Sequence, residues 1–259
     1  MAIRTTAIVN LKGGVAKSTT VINMAAILAK KYGKKVLVVD ADAQCNITEF
    51  FGAVDPFGVH NLAAVLRESG HCEKPGAYAA SSIQHTKYSG VDILAGDDSL
   101  MDLDLSKVEQ QAVNANVLRY LVEEVREMYD YAFIDCPPAF NAASAAALIS
   151  ADDVIIPIKL DAFSLRGMVN LMRQIMNMRQ INPKLRIAGI LPTMWYNDPE
   201  IIDAENHLRD AGLHVFHHIR RSDKVDKMTF RQEPLLVSSP KSGAGRDYRK
   251  FVEEFVEGK

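Results

Sequence analysis

Residues 10–20 read NLKGGVAKSTT, and the reading of this stretch decides the fold. Upstream, Thr5–Val9 is an apolar run of strand-favouring residues. Downstream, from Ser18 to Lys31, Val21, Ala25 and Leu28 fall on one helical face. The quoted stretch therefore joins a strand to a helix. At such a junction Gly13 and Gly14 let backbone N–H groups turn toward an anion at the positive end of the helix. Lys17 is placed to reach the outer phosphates of a nucleotide, and the Ser18 hydroxyl to ligate Mg²⁺. Two features exceed this pattern. A second lysine, Lys12, precedes the glycines, and Ala16 stands where a strict phosphate loop has glycine. Alanine adds one methyl group, which fits without strain at negative φ. On that reading Ala16→Gly leaves nucleotide affinity nearly unchanged.

Working outward, strand-like runs recur at 5–10, 35–40, 91–96, 131–136, 153–159, 186–191 and 214–219. Several are apolar without alternation, as expected of strands covered on both faces. Helical periodicity lies between them at 17–31, 114–129, 141–150, 164–180, 198–211 and 243–256. The alternation predicts an α/β fold: a doubly wound, mainly parallel sheet with helices on both faces. With no repeat or break in composition, 1–259 reads as a single domain, and 52–90 as its least periodic part.

The bulk numbers fit that picture. At 259 residues, 48% hydrophobic and 24% charged, the chain has the mix of an ordinary globular protein. Its net charge of −2 gives no global attraction to nucleic acid, so any such contact needs a local basic patch. Cys45, Cys72 and Cys136 are too few and too scattered for a disulfide frame or a zinc site. The start, MAIRTTAIVN, lacks the apolar core of a signal peptide, and no apolar stretch is long enough for a bilayer. A cytoplasmic protein is the expectation.

Acids follow two of the strand runs. KVLVVD leads into DADAQ with Asp40, Asp42 and Gln44, and YAFID ends in Asp135 before Pro137 and Pro138. Ligands of open parallel sheets gather at the carboxyl ends of strands, so these acids should converge on the phosphate loop. There one carboxylate can hold a metal-bound water and another can orient an attacking water. Either acid alone could equally cap a helix or face solvent.

The stretch Lys12–Ser18 resembles the deviant Walker A motif, K-G-G-x-G-K-[ST], of the ParA/MinD group of P-loop ATPases. The resemblance implies ATP and Mg²⁺ as cofactors, with the phosphates held by Lys12, Gly13, Gly14, Val15, Ala16, Lys17, Ser18 and Thr19. It makes Lys12 the signature lysine that reaches across a homodimer to the partner subunit's nucleotide, while Lys17 serves its own. VVDADAQ is similar to the family's D-x-D-x-Q element, whose second acid, Asp42, positions the hydrolytic water. FIDCPP resembles its Walker B strand and assigns Asp135, with Ser18 and Asp40, to the metal. Catalysis thereby falls to Lys12, Lys17 and Asp42.

Residues 163–172 and 219–252 also resemble ParA-type partition proteins, which bind nonspecific double-stranded DNA as ATP dimers. Release follows hydrolysis stimulated by a ParB-like partner. The implied DNA contacts are Arg166, Arg173, Arg220, Arg221, Lys224, Lys227, Arg246, Arg249 and Lys250, with Arg231 and Lys241 nearby, and the implied location is the nucleoid. On charge alone these residues read equally as a solvated surface diluted by Asp223 and Asp226. The alternative of a MinD-like ATPase on a membrane or protein scaffold would need a basic amphipathic C-terminal helix. DYRKFVEEFVEGK is acidic after Lys250 and reads as a helix docked on its own domain. Met168, Met172 and Met176 form a stripe expected to pack in the core. His217 and His218 are expected on opposite faces of a strand.

Overall fold

Seven strands among the described residues build one sheet: β1 (Arg4–Ile8), β2 (Val36–Asp40), β3 (Gln84–His85), β4 (Val91–Leu94), β5 (Tyr131–Asp135), β6 (Asp153–Lys159) and β7 (Arg186–Thr193). Their order is β3-β4-β2-β5-β1-β6-β7, and every pairing is parallel except β3 with β4. The computed structural model describes residues 3–52, 61–110 and 112–258. The helices on the amino-terminal side of β5 are α1 (Lys17–Tyr32), α2 (Asn46–Phe51), α3 (Leu62–Glu68), α4 (Pro75–Ser81), α5 (Leu105–Glu109) and α6 (Val117–Glu124). After it come α7 (Ala142–Ser150), α8 (Ala162–Met178), α9 (Pro199–Asp210), α10 (Asp223–Arg231), α11 (Leu235–Ser238) and α12 (Gly243–Glu257).

Alternate residues of each central strand enter opposite cores, which is why these strands read as unbroken apolar runs. In β2, Leu37 and Val39 join the layer of α3, α6, α7 and α8. Val36 and Val38 join the layer of α1, α10, α11 and α12. In β5, Ala132 and Ile134 face the first layer and Phe133 the second. Phe251, Val252 and Phe255 of α12 are almost fully buried in that second layer, so its apolar face is taken up by the fold itself. No described helix is long and apolar enough to cross a membrane.

The expected strand at 214–219 does not form. The segment touches β7 through one isolated bridge, Ile190 to Val215, and a second bridge, Trp195 to Arg220, lies just past the ends of both. The cause is Pro192. The Ile190 N–H donates to His214 O (2.8 Å), so residue 192 should supply the next rung, and proline has no N–H to give. The Pro192 carbonyl still accepts from Ile219 N at 2.8 Å. His217 and His218 accordingly do not lie on opposite faces. Their rings stack at 5.0 Å, and each meets its own carboxylate, Asp247 (3.4 Å) and Glu205 (3.0 Å) respectively. The irregular stretch expected at 52–90 falls partly outside the described residues, at 53–60; its remainder holds α3, α4 and the two-residue antiparallel β3. Of the methionine stripe, Met168 is buried and Met172 half-buried, but Met176 is 51% exposed.

Candidate functional site

The turn from β1 into α1 lies at the carboxyl end of the sheet. Gly14 has φ 71°, a left-handed conformation that favours glycine. Ala16, the residue before α1, also has positive φ, at 66°. The expectation of an unstrained alanine is therefore overturned. Its Cβ is held close to the following carbonyl, at a cost of roughly 1–2 kcal/mol. Ala16→Gly should relieve that strain, partly offset by the roughly 0.4–1 kcal/mol of extra unfolded-state freedom. A rise in Tm of about 1–3 °C in a thermal scan is expected, and a fall would contradict the left-handed assignment.

Lys17 begins α1 only 6% exposed, with Nζ 3.3 Å from the Lys12 carbonyl. Burial lowers its pKa, and the neighbouring Asp135 and Asp42 carboxylates oppose that lowering. Ser18 Oγ donates to Asp135 Oδ2 at 2.6 Å. The other oxygen, Asp135 Oδ1, is buried without a partner. Burial, and then the charge of Asp40, push the Asp135 carboxyl well above the usual carboxylate range. An unpartnered carboxyl oxygen beside a hydroxyl of the phosphate loop's helix fits a hard divalent cation that keeps several waters and takes phosphate oxygens as further ligands. Asp42 lines the same cleft, which encloses about 680 Å³ and runs past Gly13, Gly14, Ala16, Lys17, Ser18 and Thr19. Val15 is buried beside them and its carbonyl accepts from Thr193 Oγ1 at 3.2 Å.

Asp40 departs from the expectation that it helps hold the metal. It is fully buried, with Oδ2 accepting from Thr48 N and Thr48 Oγ1, both at 2.8 Å, and Oδ1 from Asp42 N at 3.3 Å. Both oxygens are thus committed to the turn that presents Asp42. Burial lifts its carboxyl to about 6 against the lowering effect of the Thr48 bonds. A carboxyl raised in the folded state stabilises most while protonated, so its contribution falls as pH rises from about 4 to about 6. The non-titrating variant Asp40→Asn should gain on the parent over that window by at most about 3 kcal/mol, read by denaturant unfolding at pH 4.5 and 7.5. Its magnesium-dependent nucleotide affinity should stay within about threefold of the parent's, because both carboxyl oxygens are already taken by Thr48 and Asp42.

Lys12 does not join Lys17. Its amine contacts both Asp161 oxygens (3.0 and 2.9 Å) and Ser164 Oγ (2.9 Å) at the start of α8. The cleft also has walls that the motifs did not indicate: Phe50, Met194, Val225, Asp226 and Phe230. A neighbouring cavity of about 560 Å³ shares Ala16, Met194, Val225 and Asp226 with it and extends past Thr193, Tyr196 and Arg221. One signal was available only in the backbone. Of the four described non-glycine residues at positive φ, Ala16, Met194 and Gln232 line the cleft, and Cys45 lies between its lining residues Gln44 and Asn46. Strain of this kind gathers at functional sites.

The basic residues do not form one patch. Arg166 and Arg173 are exposed on α8, on the opposite side of the sheet from α12. Arg220 is clasped by Asp247, at 2.7 and 2.8 Å, and is thereby part of the fold. Lys224 and Lys227 share Asp223, and Arg221 lines the side cavity. Arg246 donates to the Lys241 carbonyl at 2.7 Å, while Arg231 and Lys250 are exposed and Arg249 half-buried.

The family model described as an AAA domain (AAA_31) matches residues 3–187. The chromosome partitioning protein ParA of Caulobacter vibrioides is 31% identical over 262 aligned residues, 98% of this chain and 94% of that protein. The solved structure of cobyrinic acid a,c-diamide synthase from Mycobacterium smegmatis with bound ADP and magnesium is 26% identical, with TM-score 0.79, covering 98% of this chain and 94% of that one. McdA of Cyanothece in complex with ATP shares the fold at TM-score 0.80 and 22% identity, covering 99% and 96%.

Proposed function

The chain belongs to the ParA/MinD-type P-loop ATPases, and from that premise we propose that it is a DNA-partition ATPase. It binds ATP with Mg²⁺, pairs with a second copy around two nucleotides, and in that state binds double-stranded DNA without sequence preference. The observation that carries the reading is the Lys17, Ser18 and Asp135 cluster, in which Ser18 Oγ donates to one Asp135 oxygen and the other is buried without a partner, while the Lys12 amine lies outside it. Lys17 and the loop N–H groups hold the phosphates. Ser18 and Asp135 would hold Mg²⁺, which would supply positive charge to stabilise the phosphates. Asp42 orients the attacking water, and Lys12 acts on the partner subunit's nucleotide, as an arginine finger does. The cavity past Thr193 and Tyr196 takes the nucleoside. ParA of C. vibrioides, a chromosome partitioning protein by name, supports the biological role.

DNA contacts on this reading come from α10 and α12, through Lys227, Arg231, Arg246, Arg249 and Lys250. Pairing doubles that surface, so ATP should steepen both affinity and its dependence on salt. A ParB-like partner that speeds hydrolysis would release the chain from DNA and return it to the monomer. The test is anisotropy of a labelled random-sequence duplex with ATP, with ADP and without nucleotide, from 50 to 200 mM salt. Binding that is ATP-dependent, with affinity falling by at least about 10²-fold across that range, is expected. Equal, weak binding in all three states would instead favour a positioning ATPase on a membrane or protein scaffold.

A further inference from the structure

Basic and acidic side chains are sorted onto two neighbouring helices. From Ala162 to Asn197 the chain carries five cations and no Asp or Glu. Arg186 pairs with Asp153, but Arg166, Arg173, Arg179 and Lys184 are exposed and pair with no carboxylate among the described residues. Arg166 and Arg173 are seven apart and share one face of α8. α9 is the opposite: Glu200, Asp203 and Asp210 are exposed on it, and its one arginine, Arg209, is held by Glu205 at 2.8 Å. The helices lie side by side on one face of the sheet, where Leu165 and Met172 of α8 share a core with Ile201 and Ala204 of α9. Apolar side chains collect on this surface too. Phe163, Val169, Met176, Ile181, Tyr196 and Ile202 are six of the eleven large apolar side chains exposed among the described residues. Such clustering, unlike single exposed residues, marks an interaction surface.

We propose that this face pairs two copies of the chain by two-fold symmetry, without nucleotide, the basic α8 of each lying on the acidic α9 of the other. The juxtaposition of signs selects the occupant. A polyanion such as DNA, an anionic bilayer or an acidic peptide would be drawn to α8 and repelled by α9 beside it. A second copy turned through a two-fold axis presents acids to α8 and cations to α9 at once, the self-complementarity that such a contact requires. Val169 and Met176 on α8 and Ile202 on α9 supply apolar area among the charges. The surface is separate from the phosphate loop. α8 starts where Lys12 meets Asp161, and its 17 residues, at 1.5 Å each, carry its far end about 25 Å away. α10 and α12, which carry the proposed DNA contacts, pack on the other side of the sheet and stay free. Pairing through α8 and α9 therefore neither needs nor blocks the pairing driven by ATP.

Sedimentation velocity of the nucleotide-free full chain, with paired charge reversals, tests this. The parent should sediment as a pair at about 100 μM chain in about 50 mM salt, with a dissociation constant at least about tenfold higher by about 500 mM. Arg166→Glu with Arg173→Glu puts acids on both helices, and Asp203→Lys with Asp210→Lys puts cations on both. Each double variant alone should pair at least about tenfold more weakly than the parent. An equimolar mixture of the two should pair again, because each then meets its opposite on both helices. That recovery would also show that both variants are folded. A parent that stays monomeric at this concentration, or reversals that leave pairing unchanged, would overturn the inference. A mixture that does not recover would overturn the match of α8 with α9, and assemblies larger than two copies would overturn the two-fold arrangement. With no nucleotide present, none of these results bears on the ATP-driven pairing.

Discussion

Asp42→Ala lowers ATP hydrolysis by at least about 100-fold and leaves nucleotide binding nearly intact, on the expectation that this carboxylate orients the attacking water. Asp42 is 8% exposed and lines the phosphate cleft. Its Oδ1 accepts from Gln44 N at 3.1 Å, and the turn that carries it is pinned by the buried Asp40. The carboxylate is thus held in place before any water arrives, which is what positioning demands. It is not a phosphate ligand, because two anions would repel. Binding should therefore survive its loss, and ATP-bound pairs should accumulate. Single-turnover hydrolysis with chromatography in ATP checks both halves. Hydrolysis at the parental rate would remove Asp42 from the mechanism.

How much of this was legible in the sequence depends on the range over which each feature is encoded. The six parallel strands were, because burial on both faces leaves runs such as VLVVD that need no partner to be recognised. The loop and its order of strand, glycines, lysine, hydroxyl and helix were legible for the same reason. What failed was set by single atoms or distant partners. Pro192 silences one rung, and with it the strand expected at 214–219. The strained φ of Ala16 is invisible in a residue type that normally avoids it. Asp40 and Asp42 are two residues apart in one turn and look interchangeable. Only Thr48, eight positions on, decides that Asp40 faces inward and Asp42 faces the cleft. The hold of Asp161 on Lys12 spans 149 positions and has no local signature.

Lys17→Ala should weaken nucleotide binding by at least about 100-fold, while Lys12→Ala changes monomer affinity by less than about threefold. The first figure follows from two effects of one sign. Charge-assisted hydrogen bonds contribute roughly 1.5–3 kcal/mol each, and a lysine bridging two phosphate groups loses both. Its removal also leaves Asp42 and Asp135 beside the cleft without the cation that now offsets them. The Asp42 and Asp135 carboxyls would then meet the phosphates without the neighbouring lysine between them. The second figure follows from geometry: the Lys12 amine is bound to Asp161 and Ser164 at α8, outside the cleft. Titration calorimetry with Mg²⁺ and AMPPNP, at concentrations below those that give pairing, separates the two lysines. Equal losses would mean that both serve one nucleotide, and the division of the loop between its own subunit and the partner would have to be abandoned.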